Sequence, residues 1–178
     1  MKTATRLLRS LAPVCVFALV SMSASAQHAH GTSPYAHGQS AEIPSLTAEE
    51  VRELREGDGM GLARAAELNR FPGPRHLLEL KAELGLAGRQ LRRIEAIYEK
   101  MKAQAVAKGE TILAAERHLA GLFASGGPTA AKVTQVTGHL GAMQGELRAI
   151  HLLAHIEAAR ELTPEQVESY HRLRGYSH

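Results

Sequence analysis

The sequence predicts an all-α protein: a long antiparallel helical hairpin with shorter flanking helices. Three observations predict this class. One helix-starting frame occurs three times, at Leu46–Val51, Leu86–Leu91 and Leu162–Val167. No segment between these frames alternates polar and apolar residues as a half-buried strand does. Two long segments, 89–124 and 130–160, instead carry apolar residues three and four apart, the spacing of one helix face.

The last of the three frames has the features of a complete helix start. The hydroxyl of Thr163 can cap the helix, and Pro164 suits the first helical position because its missing N–H would be unpaired there. Gln166 can reach back to the Thr163 amide, which completes a capping box. Leu162 can pack across this turn onto Val167.

The other two frames differ in how well they can be capped. In the first, Thr47 and Glu50 can form the same reciprocal pair. In the second, Gln90 stands at the position of Gln166, but Ala87 has no side-chain oxygen. We therefore expect the helix after Ala87 to lack a side-chain cap.

The first residues have the layout of a secretory signal peptide, and we expect cleavage after Ala26. Cations precede an apolar run, 11–20, that is too short to span a membrane, and small residues follow it. Residues 27–45 are rich in His, Gly, Ser, Ala and Pro and are expected to form a disordered tail. Residues 46–176 then form the helical domain of an exported protein, with no membrane anchor in the mature chain.

Removing the signal peptide also removes the excess positive charge. Three of the 21 lysines and arginines and none of the 18 acids lie in residues 1–26, so the chain from Gln27 onward carries 18 of each. A balanced charge does not favour nucleic acid as a partner. The one cysteine, Cys15, also lies in the signal peptide, so a metal site would have to use His, Met, Asp or Glu.

Glycine and proline divide the part before the hairpin into short helices. We predict them at about 48–55, 62–69 and 75–84, the first ended by Gly57 and the last by Gly85. The glycine-rich run Gly57–Gly61 is predicted to be a flexible connection. It is not a phosphate loop, because no strand precedes it and no Gly-Lys-Ser/Thr sequence follows it.

The hairpin is predicted from two long helices and a short break. The first helix runs from about 89 to 124, and Gly109 is a candidate bend. Ser125–Pro128 breaks the chain, and the second helix runs from about 130 to 160, so the two helices are expected to pack antiparallel. Such a thin body leaves apolar surface for dimerisation or for binding other proteins.

The frame Leu162–Gln166, at the end of a signal-bearing helical chain, resembles the LTxxQ motif of the Spy/CpxP family of periplasmic stress proteins. Zinc-resistance-associated proteins and heavy-metal sensors are relatives of that family. Further likeness lies in Gly59–Ala63, Pro72–His76 and Arg148–His155. The resemblance covers about Leu46 to Tyr176.

The resemblance implies a cradle-shaped helical homodimer in the Gram-negative periplasm. The expected function is an ATP-independent chaperone or adaptor that binds unfolded periplasmic or outer-membrane proteins. Some members of the family restrain an envelope-stress sensor kinase through its periplasmic domain, so the resemblance also implies this function. A basic stretch on the first long helix could line a client-binding cradle, or could be a solvated face paired with Glu95 and Glu99. Its residues are Arg89, Arg92, Arg93 and Lys100.

The alternative function is a sensor or buffer for copper, zinc or nickel. His151 and His155 are four residues apart, so both imidazoles project from one side of a helix and could hold one ion. A helical wheel places them at the border of the apolar face. His139 and Met143 form a second such pair, with Glu146 one turn further on.

The start of the mature chain also contains possible metal ligands. After cleavage the tail would begin at Gln27, with His28 and His30 beside the free amino group, a set that can chelate Cu(II) or Zn(II). The competing interpretation is that the helical histidines have only a structural role, at packing borders where they bond to neighbouring groups.

No cofactor is required by the sequence, and no nucleophile or acid–base motif indicates an enzyme.

Overall fold

The computed structural model describes Ser33, Tyr35 and residues 42–176. This part of the chain is all helical, as predicted, and contains no strand. Its helices are α1 (Ala48–Glu56), α2 (Arg64–Glu67), α3 (Pro74–Glu79), α4 (Gly88–Ala124), α5 (Ala130–Ala159) and α6 (Pro164–Arg174). Within these ranges no helix combines the length and hydrophobicity needed to cross a bilayer.

The predicted hairpin is confirmed: α4 and α5 pack against each other along their length. Ion pairs between them give the register, because residues later in α4 bond residues earlier in α5. Lys100 Nζ lies 3.1 Å from Glu157 Oε1, and Lys108 pairs with Glu146. Such a register is antiparallel, as the short connection between the helices requires.

The three helix-starting frames behave as their residues predict. Thr47 with Glu50, and Thr163 with Gln166, form reciprocal capping boxes at the starts of α1 and α6. Ala87 precedes α4 without a side-chain cap. Gly57 and Gly175 end α1 and α6 in the left-handed conformation that glycine favours.

The two shortest helices are shorter than predicted. Helix α2 is short because hydrogen bonds that span three residues, from Arg64 to Gly61 and from Asn69 to Ala66, form tighter turns at its two ends. Helix α3 ends at Glu79 because the backbone at Leu80 leaves helical geometry (φ −101°, ψ 19°). The chain then continues in turns, in which the amide of Gly85 bonds the carbonyl of Ala82, so the helix does not reach the predicted Leu84.

Two apolar clusters form the core at different levels of the hairpin. The first lies toward the α4–α5 connection, and the second lies toward the open end of the hairpin, where α3 and α6 pack. The buried members of the first are Ile43, Val51, Leu54, Ala105, Ile112, Leu113, Val136, Leu140 and Leu147. Those of the second are Leu77, Leu84, Leu86, Ile94, Ala158 and Tyr170.

The packed part of the chain begins before the boundary predicted at Leu46. Ile43 is 1% exposed and belongs to the first cluster. Glu42 bonds the guanidinium groups of Arg55 and Arg117, which hold the pKa of its carboxyl below the ordinary value. The proposed cleavage site after Ala26 and the tail up to residue 41 lie outside the described residues, apart from Ser33 and Tyr35.

Gly109 does not interrupt α4, which is continuous through it. A Cβ at this position would lie 2.0 Å from the carbonyl oxygen of Leu54, closer than any real contact. The glycine therefore allows the C-terminal end of α1 to lie directly on α4. The predicted role as a bend is replaced by a close approach of two backbones.

Candidate functional site

A cavity of about 360 Å³ lies between the two apolar clusters, where the core of the hairpin is interrupted. On α4, the cavity residues Tyr98, Met101 and Lys102 separate Ile94 of the second cluster from Ala105 of the first. On α5, His151 and His155 occupy the same interval between the clusters. The opposite walls come from α2, the start of α3 and the run Gly57–Gly61.

The structure brings His151 and His155 into this one cavity, as their spacing of four predicts. A helical wheel places them at the border of the apolar face, yet both are buried, with exposed fractions of 2% and 9%. The wheel missed this because it counts only the apolar face toward α4, whereas α2 and α3 also contact α5.

His155 is oriented by a bond to the backbone. Its Nδ1 lies 2.8 Å from the carbonyl oxygen of Phe71, and since a carbonyl only accepts, Nδ1 carries the hydrogen. In the neutral ring Nε2 then keeps its lone pair. Gly73 makes room for this ring, since a Cβ at Gly73 would lie 2.8 Å from Nε2.

His151 has a buried ring nitrogen without a partner. Its Nε2 forms no hydrogen bond with any described residue, although the ring is almost fully enclosed. Burial, more than the nearby charges of His155 and Lys102, lowers the pKa of His151 below its ordinary value, and Asp58 opposes this shift. The ring is therefore held neutral, the form that can ligate a metal.

Glu67 is the buried acid of the site and was not predicted. Its carboxylate accepts bonds from the hydroxyl of Tyr170, from that of Tyr176 at 3.1 Å, and from the Gly73 amide at 3.2 Å. Its Oε2 also lies 3.6 Å from His155 Nδ1. Burial, and then the carboxylate, raise the pKa of Tyr170 far above its ordinary value, so this hydroxyl remains a donor.

Asp58 anchors the glycine-rich run at the cavity. Its carboxylate lies 3.4 Å from Lys102 Nζ, 3.5 Å from Arg75 and 3.6 Å from Arg52. The run predicted to be a flexible connection is thus one wall of a polar cavity, held to α1, α3 and α4 by ion pairs. Met60 stands in this wall with positive φ, 45°.

The second predicted metal set is not brought together at this cavity. His139 and Glu146 are exposed, whereas Met143 packs against the first cluster. Lys108 bonds the carboxylate of Glu146 and holds its pKa below the ordinary value. His28 and His30 lie outside the described residues.

The predicted basic stretch on α4 has two kinds of residue. Arg89 and Arg92 are exposed on the surface. Arg93 pairs with Glu161 at 3.0 Å, and Lys100 pairs with a carboxylate of α5, so these cations bridge the hairpin. Their partners are not the acids predicted from helical spacing, because the last turns of α5 and the connection after it offer carboxylates at the same level.

The donors at the cavity fall short of a complete site of nitrogen and oxygen ligands. Among the described residues, no three of His, Cys, Asp and Glu are placed to share one ion. Two imidazoles on one helix turn nevertheless fit a transition metal, and His155 is oriented from its other nitrogen as metal-ligating histidines are. The unpartnered Nε2 of His151 is the second observation that fits a ligand here.

Several residues of the site carry no signal in the sequence. In the sequence, nothing distinguishes Glu67 from any other acid of a short helix, and Gly73 is predicted only to be part of a turn. Met101 falls within the first long apolar segment, 89–124, and is 7% exposed, but it also lines the cavity. Only the spacing of the two histidines could have indicated this site.

Comparison of the chain with known protein families, with curated proteins and with solved structures found no match.

Proposed function

We propose that this chain is a non-catalytic, metal-binding protein of the periplasm, a sensor or buffer, that holds its ion with His151 and His155. One observation carries the proposal: the imidazoles of His151 and His155 meet at one cavity, and the Nε2 of His151 has no partner among the described residues. Buried polar groups are nearly always bonded, so a ring nitrogen without a protein partner at a cavity is available to a bound ligand. The periplasmic location rests on the signal-like start and on the resemblance to the Spy/CpxP family.

Calorimetric titration of the purified protein with Cu(II), Zn(II) and Ni(II) tests this function. We expect at least one ion to bind more tightly than it binds free imidazole, and we expect the His151→Ala/His155→Ala variant to lose that binding. His118→Ala/His139→Ala is the matched control, because both of those histidines are exposed, one on α4 and the other on α5. Binding that is equal in both double variants would assign the affinity to other histidines and end the proposal.

A second candidate is the chaperone or adaptor function, including restraint of a sensor kinase. It is favoured by a groove of about 220 Å³ on the hairpin, formed by α4 and α5 alone. Leu153 in this groove is 56% exposed, and Ile97 and Ile150 flank it. Lys100 and Glu157 also line the groove, so it offers the mixed apolar and charged surface that an unfolded client would contact.

Suppression of aggregation of a model client tests the second candidate. We expect delayed aggregation at one protein dimer per client, and loss of the delay in Leu153→Asn. Leu173→Asn is the control, because that leucine is 46% exposed on α6, away from the groove. Equal effects of the two variants would exclude the groove as the client surface. Sedimentation of the same samples tests the proposed homodimer.

A further inference from the structure

We infer that the ion held by His151 and His155 is Cu(I), and that the thioether of Met101 is its third ligand. This inference rests on the proposed metal-binding function and adds the identity of the ion and of one ligand. It starts from the register of the hairpin, and then uses the chemistry of the side chains that the register brings together.

The register places Met101 beside the histidine turn of α5. Lys100, the preceding residue, pairs with Glu157, and Lys108 pairs with Glu146. Between these two ion pairs, Met101 comes level with the part of α5 that carries His155. Met101 lines the same cavity as both histidines and is 7% exposed, so its side chain points into the hairpin and not into solvent.

The donor set favours a soft ion. Thioether sulfur selects Cu(I), whereas Ca²⁺ and Mg²⁺ require oxygen, and structural zinc takes four ligands of imidazole, thiolate or carboxylate. The described residues offer no group of three His, Cys, Asp and Glu for such a zinc site. Two imidazoles and one thioether therefore match Cu(I) better than a divalent ion.

The surroundings also favour an ion of low charge. Each of the two acids of the cavity already lies beside a cation: Glu67 Oε1 is 3.8 Å from Arg174 Nε, and Asp58 pairs with Lys102. Neither carboxylate is free to neutralise a second positive charge. Transfer of an ion from water to a buried site costs more as its charge increases, so a monovalent ion is favoured here.

The experiment is an anaerobic competition titration of the purified protein with Cu(I), using a coloured Cu(I) chelator, beside a Zn(II) titration. The test variant is Met101→Leu, a volume-conserving change that removes only the sulfur. Met143→Leu is the control, since Met143 packs against the first cluster, away from the histidines. X-ray absorption at the copper edge then reports whether sulfur is bound.

We expect Cu(I) to bind more tightly than Zn(II), and we expect Met101→Leu to weaken Cu(I) binding about tenfold or more, with the sulfur signal lost. Zn(II) binding should be the same in this variant, and Met143→Leu should change neither ion. If Cu(I) binding and the sulfur signal survive in Met101→Leu, or if Zn(II) is preferred, the inference is wrong while the histidine site stands. If no ion depends on His151 and His155, the proposed metal function fails as well.

Discussion

Gln90 and Gln166, which are 76 residues apart, exchange side-chain hydrogen bonds. Nε2 of Gln90 donates to Oε1 of Gln166 over 2.7 Å, and Nε2 of Gln166 donates to Oε1 of Gln90 over 3.2 Å. The amide of Gln90 also bonds the carbonyl of Glu161, and that of Gln166 bonds the carbonyl of Leu84. The matching glutamines of two helix-starting frames thus join the starts of α4 and α6.

Removing one member of this pair should destabilise the open end of the hairpin. In Gln166→Ala the capping box, the amide pair and the bond to Leu84 are lost together, and half-buried groups lose their partners. We expect a loss of about 1–3 kcal/mol in the free energy of unfolding, measured by urea denaturation.

Gln144→Ala is the matched control, because Gln144 is exposed on α5. It should change stability by less than about 0.5 kcal/mol. A double-mutant cycle of Gln90→Ala with Gln166→Ala should give a coupling of about 0.5 kcal/mol or more, and additive losses would show that the two amides act independently.

Gly109→Ala should destabilise the protein although alanine is the better helix former. The added Cβ would lie 2.0 Å from the Leu54 carbonyl oxygen, a backbone atom that moves only if α1 moves. We expect a loss of about 1–3 kcal/mol and a lower melting temperature. Gly121→Ala, in the same helix with open space around it, should instead stabilise by up to about 1 kcal/mol. Equal effects of the two changes would contradict the close approach.

Tyr170→Phe should destabilise the protein, because the buried carboxylate of Glu67 loses a hydrogen-bond donor. The hydroxyl of Tyr170 donates to this buried carboxylate, and the phenylalanine would remove a donor without creating a large void. We expect a loss of about 1–3 kcal/mol at neutral pH by thermal or urea unfolding. Tyr98→Phe, at the half-buried α4 wall of the cavity, should cost less than about 0.5 kcal/mol. A neutral result for Tyr170→Phe would show that Glu67 does not need this bond.

The stability of the protein should fall as the pH drops below the ordinary pKa of histidine. The pKa of His151 in the folded protein is below the ordinary value of 6.5, so the unfolded chain binds a proton that the folded chain resists. The contribution of His151 is therefore complete above about pH 6.5 and is lost as the pH falls toward the folded pKa.

Urea denaturation between about pH 7.5 and 5.5 measures this slope. In His151→Gln the slope should be smaller than in the wild type. His118→Gln changes an exposed histidine of α4 and should keep the wild-type slope. Identical slopes in all three proteins would mean that His151 does not resist protonation in the folded state.

Local patterns predicted the helices well and their contacts poorly. The capping boxes at Thr47 and Thr163, the uncapped Ala87 and the helix end at Gly57 are decided by neighbours within one helix turn. Ile43 was assigned to a disordered tail because one isoleucine among polar residues has no period. Its burial depends on α4, which follows it by many residues.

For the candidate site, the sequence predicted one pair of residues and none of its surroundings. A spacing of four places His151 and His155 on one side of α5 whatever the tertiary structure is. The sequence could not rank this pair above His139 and Met143, because both have the same spacing. Burial distinguishes them: the first pair faces a cavity, whereas His139 faces solvent.

The sequence by itself determined the helical class, the antiparallel hairpin and the places where most helices begin and end, because propensity, capping and periodicity act over a few residues. Only the tertiary structure decided that the core is interrupted between two clusters, and that Glu67, Met101 and the two histidines meet there. The reason is physical. A cavity is formed by side chains from segments distant in the chain, and its burial and charge depend on how those segments pack.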